Sequence, residues 1–108
     1  MYDLRAVGNG KVVVTYTNDK KTTIAQVVVA SLEELEGVLG AVEAEVSNLA
    51  TLVEGLEEGA EVKYRIEGEH SYFVAMVARE VQWESQPQVA MSVDIHNDFV
   101  DVYITKPL

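Results

Sequence analysis

The residue types in this chain that could do chemistry are two histidines, His70 and His96, and the carboxylates around them. Glu69 beside His70, and Asp94, Asp98 and Asp101 near His96, offer the nitrogen and oxygen donors that metal ions take. Their spacing argues against a metal centre. None has ligand spacing on a helix, and there is no calcium loop of alternating acids around a central glycine. Both histidines lie in or beside turn sequences, where a solvated imidazole is the expected state. Carboxylate pairs such as Glu80 with Glu84, or Asp94 with Asp101, have the groups for acid and base work, but such pairs arise freely among 18 Asp and Glu residues. The chain has no phosphate loop, no dinucleotide glycine pattern, no serine elbow and no cysteine nucleophile. The expectation is a protein that is not an enzyme, with no catalytic residue, no metal site and no cofactor.

The second kind of signal is charge. Across 108 residues there are 8 Lys and Arg against 18 Asp and Glu, a formal net charge of −10. Segment 31–58 holds Glu33, Glu34, Glu36, Glu43, Glu45, Glu54, Glu57 and Glu58 and not one basic residue, so most of the imbalance lies there. The remaining strands and loops are nearly balanced. Such a balance argues against direct binding of nucleic acid or of an anionic membrane and favours a basic protein partner. Trp83, the single tryptophan, is a second candidate for partner binding, expected at a sheet edge or rim.

These residues must be held by a fold, and 48% apolar content at this length is enough for one core, hence a single domain over 1–108. Lys11 to Thr17 (KVVVTYT) alternates β-branched and aromatic residues, and the turn sequences Gly8-Asn9-Gly10 and Asn18 to Lys21 set it between strands near Tyr2 to Val7 and Thr22 to Ala30. Ser31-Leu32-Glu33-Glu34 is a capping box and opens a helix. Leu32, Leu35, Leu39, Val42, Val46, Leu49, Val53 and Leu56 continue its apolar stripe to about Glu58, with Ser47-Asn48 as the point where it could break. Val38 and Leu52 widen the stripe, and the acidic or apolar flanking positions oppose a parallel self-pair, so the helix is expected to pack on a sheet instead of in a coiled coil. Strands are then expected at Glu61 to Glu67, Tyr72 to Trp83, Val89 to Ile95 and Phe99 to Thr105. The resulting order is βββ-α-ββββ, an α+β fold with one long acidic helix across one face of an antiparallel sheet. No stretch has the roughly 18 consecutive apolar residues of a membrane span. Met1 to Arg5 lacks a signal-peptide layout, and the chain has no cysteine, so a cytoplasmic address is expected.

An N-terminal hairpin (KVVVTYTNDKKTTIAQVVVA), a capped Glu-rich helix (SLEELEGVLGAVEAE) and a following set of strands resemble, in architecture and charge, the small acidic proteins with which bacteria and phages block other proteins. Immunity proteins of polymorphic toxins and phage-encoded inhibitors of host defence are of this kind. The resemblance implies occlusion without chemistry, a Glu-rich helix acting as a polyanion against the basic cleft of a nuclease or nucleic-acid-binding protein. It carries no family motif, so no binding residue follows from it. The alternative is a self-assembling structural protein, such as a phage virion or tail component, in which exposed strand edges or the wide apolar stripe build a homo-oligomer, an uncovered strand in Tyr72 to Ala78 being one that would invite pairing. A small-molecule pocket between helix and sheet is a third class, with no residue that singles it out.

Overall fold

β1 (Tyr2–Gly8), β2 (Lys11–Thr17) and β3 (Thr23–Val29) form an antiparallel sheet in that order; the computed structural model describes all 108 residues. The β1–β2 turn needs left-handed backbone at Gly8, Asn9 and Gly10 (φ +93°, +54° and +75°), which glycine and asparagine tolerate best. In the next turn Asn18 Oδ1 accepts from the amides of Lys20 (3.0 Å) and Thr22 (2.9 Å) and so folds its own loop. Register sets Leu4, Val14 and Val27 side by side on the face that also carries Tyr16, Ala25 and Val29.

Ser31 caps α1 (Leu32–Gly55), its Oγ accepting from the Glu34 amide at 3.0 Å. Glu34 returns the favour one residue further out than the usual box, its Oε1 accepting from the Ala30 amide at 2.6 Å. The helix runs unbroken through Ser47 and Asn48, and it ends at Gly55, a little short of Glu58. No basic residue lies in its last turn. Lys106 supplies one from the far end of the chain, Nζ donating to the carbonyls of Val53 (3.3 Å) and Leu56 (3.0 Å) at the negative end of the helix.

β4 (Glu61–Glu67), β5 (Ala90–Ile95) and β6 (Phe99–Thr105) make a second antiparallel sheet, with β6 between the other two. Val62, Tyr64 and Ile66 pair with Ile104, Val102 and Val100 and share their face, as the alternation requires. The protein is thus α+β, with two three-stranded sheets and the order βββ-α-β-α-ββ.

The element that departs from expectation is α2 (Ser71–Ser85), a helix where Tyr72 to Trp83 reads as a strand. Its burial on more than one side is as the sequence suggests, for Phe73, Val74, Ala75, Val77 and Ala78 are all in the core. A short apolar run buried on several sides looks alike as strand or helix, and here length decides. No glycine or proline falls between Gly68 and Pro87, and Ala75, Met76, Ala78, Arg79, Glu80 and Gln82 are strong helix formers. α2 is the centre of the molecule, touching α1, β3 and all three strands of the second sheet. Accordingly α1 packs chiefly on α2 and only lightly on β3, not across a sheet face. Trp83 sits on α2, not at a sheet edge, and Tyr72 to Ala78 offers no free strand for assembly. The molecule is elongated, 50 × 29 × 19 Å.

Candidate functional site

Five α1 residues, Leu35, Val38, Val42, Leu49 and Val53, are buried and fix which side of the helix faces the protein. At roughly 100° per residue, Glu33, Glu36, Glu43 and Glu54 fall on the opposite side, and all four are exposed, as are Glu57 and Glu58 just beyond the helix. None of these six lies within ion-pair distance of a Lys, Arg or His. The face is an uncompensated row of carboxylates.

Glu34 and Glu45 are set apart from that row. They are half-buried on the flank of α1 that faces the β4–α2 turn. Glu34 Oε2 meets His70 Nε2 at 3.0 Å while its other oxygen holds the Ala30 amide. The Ala30 N–H first, and His70 second, keep the Glu34 carboxyl below the usual carboxylate range. Glu45 Oε1 accepts from Asn48 Nδ2 at 3.4 Å, and Asn48 also donates to the Tyr64 hydroxyl at 3.0 Å. Glu45 Oε2 is buried without a partner. Burial, and then the Glu45 carboxylate beside it, push the Tyr64 phenol up.

Between α1 and the β4–α2 turn lies a cleft of about 360 Å³ lined by Glu34, Glu45, Glu67, Glu69 and His70 among others. Glu34, Glu69 and His70 each bring one donor atom within 4.8 Å of the others, the types a divalent cation accepts. Sequence proximity gives only Glu69 and His70; Glu34, 36 residues away, arrives through the docking of α1. Two of the three are already engaged, since Glu34 is at once helix cap and His70 partner. The cluster therefore works as a clasp between the start of α1 and the start of α2.

The chain matches no known family model, no curated protein and no solved structure.

Trp83 is 41% exposed and walls a cleft of about 270 Å³ together with Asn18, Asp19, Lys20, Glu80, Glu84 and Pro87. No α1 residue lines it, so Trp83 and the acidic row do not share one cleft. Glu80 and Glu84, a pair that the sequence gives no reason to single out, meet here: Glu80 is buried and accepts a long 3.5 Å hydrogen bond from Asn18, and Glu84 Oε1 is buried without a partner. Burial, with Asp19 and then Glu80 close by, raises the Glu84 carboxyl above the ordinary range. Three acids around an aromatic wall make a pocket suited to a cationic side chain.

The third cluster is on the outer face of the second sheet. Register sets Asp94 directly across from Asp101, and Arg65 on the other side of Asp101. Arg65 Nε and an Nη donate to the two Asp101 oxygens at 2.9 and 3.3 Å, a bidentate pair that holds the buried Asp101 carboxyl low. The guanidinium also lies 3.9 Å over the Phe99 ring, against which His96 stacks at 4.3 Å. His96 Nε2 reaches Asp94 at 3.1 Å. Asp94, His96 and Asp101 come together as donor atoms, yet the guanidinium already neutralises Asp101. Phe99 shares the face of Asp101 by simple alternation along β6, as the sequence suggests, whereas Arg65 is brought in only by strand register. No helix of the chain is long and apolar enough to cross a membrane.

Proposed function

We propose that this chain is a non-catalytic protein-binding module of the inhibitor or immunity type, which uses α1 to occlude a basic protein surface. The observation that supports the reading is the outer face of α1: Glu33, Glu36, Glu43 and Glu54, exposed and without cationic neighbours, over a length of about 32 Å. A surface helix usually steadies its charges with glutamate–lysine pairs four residues apart, and α1 has none. An uncompensated row raises the encounter rate with a basic cleft and sets orientation, more than it adds raw affinity. Affinity then needs an anchor. Trp83, with Asp19, Glu80 and Glu84, supplies a pocket for an arginine or lysine of the partner. The partner class is a nuclease or other nucleic-acid-binding protein, with α1 taking the place of the phosphate backbone; nucleic acid and anionic membranes are themselves repelled. Glu34 and Glu45, half-buried on the flank, contribute to the field but hold the helix more than they touch the partner.

The test is capture from a host lysate by the wild-type chain and by a Glu36→Lys, Glu54→Lys double variant, at about 0.1 M and about 1 M salt, where the Debye length falls from about 10 Å to about 3 Å. A basic protein retained only by the wild type and only at low salt is the expected result. Equal retention by both chains overturns the proposal.

A further inference from the structure

Strand β1 is the edge of its sheet, and all seven of its residues are exposed. The ladder to β2 fixes which backbone groups are free. Met1 and Thr17 exchange hydrogen bonds, each N donating to the other's carbonyl at 2.9 Å. In an antiparallel pair such mutually bonded residues recur at every second position, so Asp3 and Arg5 turn their N–H and C=O groups towards β2. Tyr2, Leu4 and Ala6 therefore turn theirs to the open edge.

The same strand concentrates exposed apolar side chains. Leu4 is 52% exposed and Val7 51%, with Met1 and Tyr2 beside them. Sheet edges are usually protected by lysine, proline or charges aimed inward. β1 has no lysine and no proline, and its only charges are Asp3 and Arg5.

Those two charges complement each other in one arrangement. When a second copy of β1 lies antiparallel with Leu4 opposite Leu4, Tyr2 falls opposite Ala6, Met1 opposite Val7, and Asp3 opposite Arg5 twice by symmetry. The free groups of Tyr2, Leu4 and Ala6 then meet those of Ala6, Leu4 and Tyr2, donor to acceptor throughout. The Asp3 and Arg5 pairs fall at the non-hydrogen-bonded positions, where side chains approach most closely. Sliding the partner to the next register that keeps the free groups facing brings Asp3 against Asp3 in one direction and Arg5 against Arg5 in the other. Charge thus selects a single register. We infer that the partner of the β1 edge is a second copy of this chain, in a two-fold dimer that joins two three-stranded sheets into one of six strands. Because the contact is isologous, it closes at two copies and does not propagate.

Sedimentation equilibrium of the purified chain at physiological ionic strength tests this. The expected mass at high concentration is twice the 11.9 kDa of the monomer. Asp3→Arg alone, or Arg5→Asp alone, replaces two attractive pairs by two repulsive ones and weakens the dimer about tenfold. An equimolar mixture of the Asp3→Arg chain with the Arg5→Asp chain restores both pairs and dimerises again, a result that misfolding of either chain cannot produce. A wild-type chain that stays monomeric over its soluble range overturns the inference. So does a dimer that both single substitutions leave intact, or a mixture of the two variants that stays monomeric.

Discussion

Phe73→Ala removes the largest fully buried side chain of α2, the helix that joins the two sheets. Phe73 is 1% exposed, and its ring centroid lies 6.5 Å from that of Tyr2, itself 5.2 Å from Tyr16, so the cavity opens where α2 meets the first sheet. Buried Phe to Ala changes cost about 3–5 kcal/mol, the transfer of the ring plus the void it leaves. The unfolding entropy of a chain this size is about 0.23 kcal/mol/K, from roughly 2.1 cal/mol/K per residue. The melting temperature should therefore fall by about 13–22 °C. Because α2 packs on α1 and on both sheets, the loss should be felt everywhere at once. Urea and thermal unfolding followed by Trp83 fluorescence and by far-ultraviolet circular dichroism should give coincident transitions in both proteins. A loss below about 1 kcal/mol would refute the reasoning. Two separated transitions, with one sheet outlasting the other, would refute the role given to α2.

Other predictions follow from single groups. Ser31→Ala removes the oxygen that holds the Glu34 amide and should cost about 1 kcal/mol, or about 4 °C in Tm, while Ser31→Asp should keep most of it. Glu84→Gln should raise Tm at pH 7, since the Glu84 carboxylate is penalised by burial and by Asp19 and Glu80. A group whose folded pKa is raised destabilises the fold most above that pKa and not at all below the unfolded value, so the advantage of Gln should disappear below about pH 4. Equal melting temperatures at pH 7 would contradict it. Asp101 has the opposite sign: Arg65 lowers its folded pKa, so the stability it adds is present above the unfolded value of about 3.9 and is lost as the pH falls further. Arg65→Met should remove that acid-side dependence, seen as a flatter Tm profile between about pH 4 and pH 2.

What the sequence discloses here is local. Ser31 and Glu34 lie three residues apart, and the Asn18 turn folds on its own side chain, so the cap and the β1–β3 meander can be read directly. Alternation at Val62, Tyr64 and Ile66 likewise gives β4 and its inner face. Tyr72 to Ala78 fails because burial on several sides erases the periodicity that separates helix from strand. That one element then misdirects the packing of α1, which rests on α2. The clusters are less legible still. The contacts of His70 with Glu34 and of Arg65 with Asp101 each span 36 residues and follow from helix docking or strand register, neither of which has a local signature. The acidic row on α1 is visible in composition, and its division into an outward set and the flanking Glu34 and Glu45 requires the fold.

Occlusion of a basic surface by α1 is tested most directly by competition. A captured basic partner is loaded with a short labelled nucleic-acid duplex, the wild-type chain is titrated in, and the released duplex is measured by fluorescence anisotropy. Full release by the wild type, with little or none by the Glu36→Lys, Glu54→Lys variant, is the predicted result. A stable ternary complex of partner, duplex and this chain would contradict the account.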